Sequence, residues 1–166
     1  MIKTSIDPRL WQGISRSDTL RLCAIFVHRG LPIWEAIFPT DDRPARVIPA
    51  ITAVANDDSS GPRRRASAAA TRALLARNRV YAAKEPAEKA AEYVGEAARS
   101  AANVCSKTVS DMWPDGCAND IVLAVYFRAL ADGKDELTAQ RTAQAERGYQ
   151  LQALAKVRVG TPVNKV

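Results

Sequence analysis

Apolar residues recur along this chain at three- and four-residue intervals far more than at alternating ones, and the elements they predict are helices. Ser17-Asp18 reads as a helix start with Ser17 as N-cap, and Gly30 as its stop after Arg29. Leu20, Cys23, Ala24 and Val27 fall on one face, and Leu22, Ile25 and Phe26 widen it, so this helix is predicted to be central. Pro32 opens a short second helix to Phe38. After a turn at Thr40-Asp41-Asp42-Arg43, Pro44 sits at the first position of a third, with Val47, Ile48, Ile51 and Val54 or Ala55 as its stripe. Pro49 also permits a start nearer Arg46.

Asn56 to Gly61 has turn composition and is expected to be the mobile connection. Pro62 starts a fourth helix to about Asn78, with Ala66, Ala69, Ala70, Ala73 and Leu74 inward. Pro86 starts a fifth, reaching about Lys107, with Ala87, Ala90, Ala91, Val94, Ala98, Ala101 and Cys105 on one clean face. These two Ala-rich helices are expected to pack closely as a hairpin in the middle of the fold. Glu85, Lys89, Glu92, Glu96 and Arg99 mark the expected wet side of the fifth. Trp113-Pro114-Asp115-Gly116 reads as a turn, followed by a helix from about Ala118 to Ala131 whose apolar run Ile121 to Phe127 could also be a buried strand; Leu130 continuing the apolar face and the stop at Gly133 favour helix. A polar last helix from Asp135 to about Val157, interrupted at Gly148, buries Leu151, Leu154 and Ala155. The expected architecture is all-α, a single compact domain of six to seven helices over residues 1–159, with a flexible tail at 160–166.

Composition agrees: 30 of the 166 residues are Ala. No apolar stretch follows Lys3, so the N-terminus does not read as a secretory leader, and no apolar run approaches the roughly 20 residues of a membrane span. A soluble, cytoplasmic protein is expected. Cys23, Cys105 and Cys117 lie in or beside apolar segments and read as buried thiols, with a Cys105–Cys117 bridge as the alternative.

Charge is unevenly placed. The net charge is +6. Between Gly61 and Lys107 there are ten Lys and Arg against four Glu, so this one segment carries the whole excess. Arg63, Arg64 and Arg65 cluster at the start of the fourth helix, and Arg65, Arg72 and Arg79 recur every seven residues. Such a stripe is a solvated face, a binding face for an acidic protein, or a track for phosphates.

Little else in the sequence carries chemistry. There is no phosphate-cradling Gly loop and no nucleophile elbow. His28 is the only imidazole and lies near a helix C-terminus. The pairs Asp41-Asp42 and Asp57-Asp58 are sequence neighbours that point apart, which suits capping better than acid–base work. The expectation is therefore of no enzyme, no catalytic residue, no metal and no cofactor.

The most distinctive stretch is Leu31-Pro32-Ile33-Trp34-Glu35 followed by Phe38-Pro39-Thr40-Asp41-Asp42-Arg43-Pro44. Two prolines bracket a turn beneath which Trp34 is expected to pack, and Arg43 is placed to pair with Glu35 or an Asp. The order Cys23-Ala24, Leu31-Pro32-x-x-Glu35, then Pro39-x-Asp-x-Arg43-Pro44 (with Asp41 or Asp42 as the acid) ahead of Ala-rich helices resembles a family of immunity proteins from bacterial polymorphic-toxin systems. The resemblance covers about residues 18–107. It implies a cytoplasmic protein that binds a cognate toxin and neutralises it by occlusion. A phage-encoded inhibitor of a bacterial defence system is a close alternative, and a nucleic-acid-binding module using the 63–79 arginine stripe a more distant one. The candidate partner contacts are Arg63, Arg64, Arg65, Arg72, Trp34, Asp41, Asp42 and Arg43, facing a protein with an acidic patch. A homodimer through the small-residue faces is also compatible with the pattern.

Overall fold

The helix from Pro86 to Val104, here α4, shows what the alanine content does. In the computed structural model, which describes residues 6–82, 84–105 and 112–160, Ala90, Ala91, Val94, Ala97, Ala98, Ala101 and Ala102 of α4 are completely buried. Around it pack α1 (Arg16–Ile37), α2 (Val47–Asn56), α3 (Ser60–Arg77) and α5 (Met112–Ala131), while α6 (Glu136–Arg158) lies on α5 and touches α1. A 3-10 turn at Pro8–Trp11 precedes α1. Every regular element among the described residues is helical, so the all-α expectation holds with six helices. The main core runs from Ile6 and Trp11 through α1, α2, α3, α4 and α5 to Leu154. A second cluster gathers around Trp34, Val80, Val94 and Ala124.

Close approach is the rule inside this bundle, and two glycines locate it. A Cβ on Gly95 would lie 2.9 Å from Cβ of Arg77 and 3.1 Å from its Cα, so the α3 backbone itself occupies that space. A Cβ on Gly30 would lie 2.6 Å from Cδ1 of Ile121 and 3.2 Å from Cγ2 of Val94. That second contact explains the largest departure from the sequence reading. Gly30 does not stop a helix: the two helices expected before residue 38 are one, 22 residues long. Pro32 removes the amide that would bond the His28 carbonyl, but Pro32 and His28 are both exposed, on the solvent side of the helix, where losing that bond costs least. The N-cap is Ser15, whose Oγ accepts from the Asp18 amide, while the Ser17 hydroxyl donates to the Ala55 carbonyl at 2.7 Å.

Other boundaries move for local reasons. Residues 43–46 form a turn and α2 starts at Val47, which leaves Pro49 in the first turn, where an amide has no helical partner to lose. The expected mobile loop shrinks to residues 57–59. Asp57 accepts from the amide and hydroxyl of Ser59, and Asp58 is held by Arg63 and Arg16. In α3 Leu74 is 38% exposed, and Ala76 takes the inward position instead. The Trp113–Gly116 stretch is the first part of α5 rather than a turn, and Asp115 accepts from the Ile6 amide at 2.9 Å. The run Ile121 to Phe127 is helical, as expected.

In α6, capped by Asp135, Gly148 causes no interruption. Of the three residues expected to be buried only Leu154 is; Leu151 and Ala155 are exposed. The inward face is polar instead. Glu146 takes a two-pronged ion pair from Arg29, which also lies 3.8 Å over the Tyr149 ring. Arg147 donates to Gln150 and Asn119, and Gln150 donates to the Ala118 carbonyl at 3.0 Å. Burial lowers the Arg147 guanidinium to about 10.

Cys23, Cys105 and Cys117 are free and buried, so the bridge alternative is not formed. Burial pushes the Cys105 thiol up to about 12. The expected extension of α4 to Lys107 falls outside the described residues, as does the expected loose tail apart from Gly160.

Glycine substitutions separate contact from propensity. Gly95→Ala must force α3 and α4 apart and is expected to cost about 2 kcal/mol. Gly148→Ala meets nothing within 4 Å and is expected to stabilise by roughly 0.5–1 kcal/mol through helix propensity. Urea denaturation of the two variants checks both; Gly95→Ala at wild-type stability would contradict the packing described.

Candidate protein interface between the second and third helices

The arginine-rich start of α3 is the sequence feature that the fold leaves open. Alanines 66, 69, 70 and 73 turn inward, so Arg63, Arg64, Arg65 and Arg72 turn out and all four are exposed. Next to α2, two of them, Arg65 and Arg72, border a groove of about 420 Å³ lined also by Arg46, Pro49, Ala50, Ala68 and Ala69. Its floor is methyl groups and a proline ring, its rims carry three guanidiniums, and no carboxylate lines it.

The pairing of these arginines divides them. Arg63 is bonded through both ends of its guanidinium to Asp58. Arg46 pairs with Asp42 at 2.8 Å across a wet contact, with both side chains about 60% exposed. Arg64, Arg65 and Arg72 make no ion pair among the described residues. Leu75, one turn beyond Arg72, is 54% exposed and places an apolar side chain on the same helix.

The proline-bracketed corner is a different kind of structure. Trp34 is 1% exposed and its Nε1 donates to the Asp41 carbonyl at 2.7 Å. It packs beneath the corner, as its sequence context suggests, and for that reason is no surface contact. The Asp41 carboxylate, 6% exposed, accepts from Nε of Arg43 at 2.8 Å and from Arg79 at 3.0 Å. Arg43 therefore pairs with Asp41 rather than Glu35. Arg79 lies past the end of α3 and is tied to Asp41 rather than continuing a free stripe. The hydrogen bonds from Arg43, reinforced by Arg79, hold the Asp41 carboxyl down at about 2. Of the eight candidate contacts, Trp34, Asp41 and Arg43 build the corner, Asp42 and Arg63 are exposed but paired, and Arg64, Arg65 and Arg72 stand free. Arg46, Pro49 and Ala50 complete the groove and were not singled out by the sequence; only their place on α2 beside α3 brings them in.

A second charged cluster sits where a wet helix side was expected. Arg77 lies 3.6 Å from Glu92 and 3.4 Å from Glu96, and Arg99 pairs with Glu96, all four half-buried between α3, α4 and α5. Asp120 of α5 faces this cluster. Burial, followed by the neighbouring Glu96 charge, raises its carboxyl to about 8 against the opposing pull of Arg99 and Arg77. A carboxyl that is neutral near pH 7 suits a general acid. Yet Asp120 lines neither the α2–α3 groove nor the cavities beside Trp11 and Ile33. The cluster joins three helices.

Among the described residues no group of three or more His, Cys, Asp or Glu is placed to hold a metal, and no helix is long and apolar enough to cross a membrane. The chain matches no known protein family, no curated protein and no solved structure.

The two shifted carboxyls act on stability in opposite directions. Asp41, at about 2 against an ordinary 3.8, contributes stability above pH ~4 that is lost as pH falls towards 2. Asp120, at about 8, keeps its proton in the fold where the unfolded chain has released it, so stability declines from pH ~4 to ~8 and then levels off. Thermal midpoints across this range should show both slopes, and Asp120→Asn should flatten the upper one while leaving the acid limb intact. An unchanged upper slope in that variant would remove Asp120 as its cause.

Proposed function

We propose that this protein works by binding rather than by catalysis, presenting the exposed arginines of α3 to an acidic surface on a partner protein and occluding it. Neutralisation of a toxin, as an immunity protein in the cytoplasm, is the specific form that the sequence resemblance suggests; inhibition of a defence protein by a phage-encoded factor is its alternative. The observation that carries the reading is the contrast in pairing along α3 and just past its end. Arg63 and Arg79 are engaged by Asp58 and Asp41, while Arg64, Arg65 and Arg72 between them face outward with no ion pair among the described residues.

Free guanidiniums at a rim accelerate and orient encounter with an opposite charge, and an adjacent apolar residue supplies the desolvated contact that holds it. Arg65 and Arg72 supply the first and Leu75, with the alanine floor, the second. Phosphates of a nucleic acid satisfy the arginines equally well. What favours protein is the floor, since methyl groups give bases no aromatic face to stack on.

The test is recovery of a partner from the native host with tagged wild-type protein and with an Arg65→Glu/Arg72→Glu variant whose circular dichroism and melting are unchanged. An acidic protein should co-purify in stoichiometric amount with the wild type and fall by about tenfold with the variant. Absence of a stoichiometric protein would overturn the reading. So would oligonucleotide binding with a log–log salt slope near −2 that the variant abolishes.

A further inference from the structure

The groove also has a shape, and the shape narrows the partner. We infer that the α2–α3 groove receives one amphipathic helix of the partner, carrying two carboxylates seven residues apart over Arg65 and Arg72 and small side chains against Ala68 and Ala69. This inference rests on the binding reading above and adds the structural class of the occupant.

Three features argue for it. Arg65 and Arg72 are two turns apart on a straight helix, about 10 Å along its axis. A second helix lying along α3 repeats that interval at i and i+7, so both carboxylates meet a guanidinium at once. Next, the floor between the two walls is built from Ala50, Ala68, Ala69 and Pro49. With side chains this short a third helix can settle to the 8–10 Å interaxial distance of packed helices, roughly, provided it too is small where it touches. Finally, the charges are one-sided. Arg46 adds a third cation from the α2 wall, and its bond to Asp42 is a surface one that yields to a competing carboxylate at little cost. An extended peptide finds no sheet edge to pair with among the described residues, whereas two helices with a furrow between them are the receptor form for a helical ligand.

The probe is a synthetic helical peptide with Glu at positions i and i+7 and Ala at i+3 and i+4, labelled for fluorescence anisotropy, and compared with a peptide of the same composition whose glutamates lie on opposite faces. The patterned peptide should bind, and the scrambled one about tenfold more weakly. Ala68→Trp, at an exposed position, should fill the furrow and weaken binding by a similar factor without altering thermal stability. Arg72→Glu should also weaken it, and a peptide with Lys in place of the matching Glu should restore binding to that variant. Equal affinity for the two peptides, indifference to Ala68→Trp, or failure of the charge exchange would each overturn the inference. A partner captured from the host that still binds the Ala68→Trp variant would leave the binding reading standing and remove the helix from the groove. Patterned binding with no protein partner recovered would do the reverse.

Discussion

Methyl-sized side chains on α4 set how near the other helices come, and most of the architecture follows from that distance. A helix whose buried surface is mainly alanine offers neighbours almost no side-chain relief, so they approach until backbones and glycines touch, as Gly95 does with Arg77. Packing of this kind gains dispersion contact from proximity rather than from large apolar groups. It leaves little tolerance for added volume at the crossings. It also explains why the large residues, Trp34, Phe26, Leu22 and Ile121, gather on α1 and α5, which flank α4 and fill the space that alanine cannot.

The alanine core is joined to its outer helices by polar contacts as well as apolar ones. The helix α6 buries Glu146, Arg147 and Gln150 and bonds them to Arg29, Asn119 and the Ala118 carbonyl. The α3–α4–α5 junction does the same with Arg77, Glu92, Glu96 and Arg99. Buried networks of this sort fix one arrangement more than they add stability, because a partner misplaced by a residue leaves a charge without its mate. Helices faced with near-identical alanines have few other ways to choose a register.

The helices and their inward alanines were legible because a period of three to four survives in composition alone. The misreadings share a cause. Gly30 followed by Pro32 is punctuation in sequence terms, but the same glycine is what lets α1 lie against Ile121 and Val94, and only the assembled bundle tells a stop from a crossing. Glu92, Glu96 and Arg99 read as a solvated stripe because charge predicts exposure until another helix brings the complementary charge, here Arg77 from α3. On α6 the polar residues read as outward for the same reason. The free arginines were visible as a cluster, yet their division into Arg63, which is paired, and Arg64, Arg65 and Arg72, which are not, depends on where Asp58 falls in space.

That division bears on function through the cost of the cluster itself. Helix N-termini favour acids and disfavour cations, by a few tenths of a kcal/mol per charge or more. Yet α3 begins with three arginines within its first six residues, no acid in its first turn and no side-chain cap from Ser59. One arginine, Arg63, recovers its cost by bonding Asp58. Arg64 and Arg65 make no ion pair among the described residues, and neither does Arg72, two turns on. A local rule broken in this way, on a helix whose other face packs inward through Ala66, Ala69, Ala70 and Ala73, has no ion-pair compensation for Arg64 or Arg65 among the described residues. On the binding reading proposed above, negative charge brought by a partner would offset that cost, and the furrow between Arg46, Arg65 and Arg72 would give such charge guanidiniums on both sides.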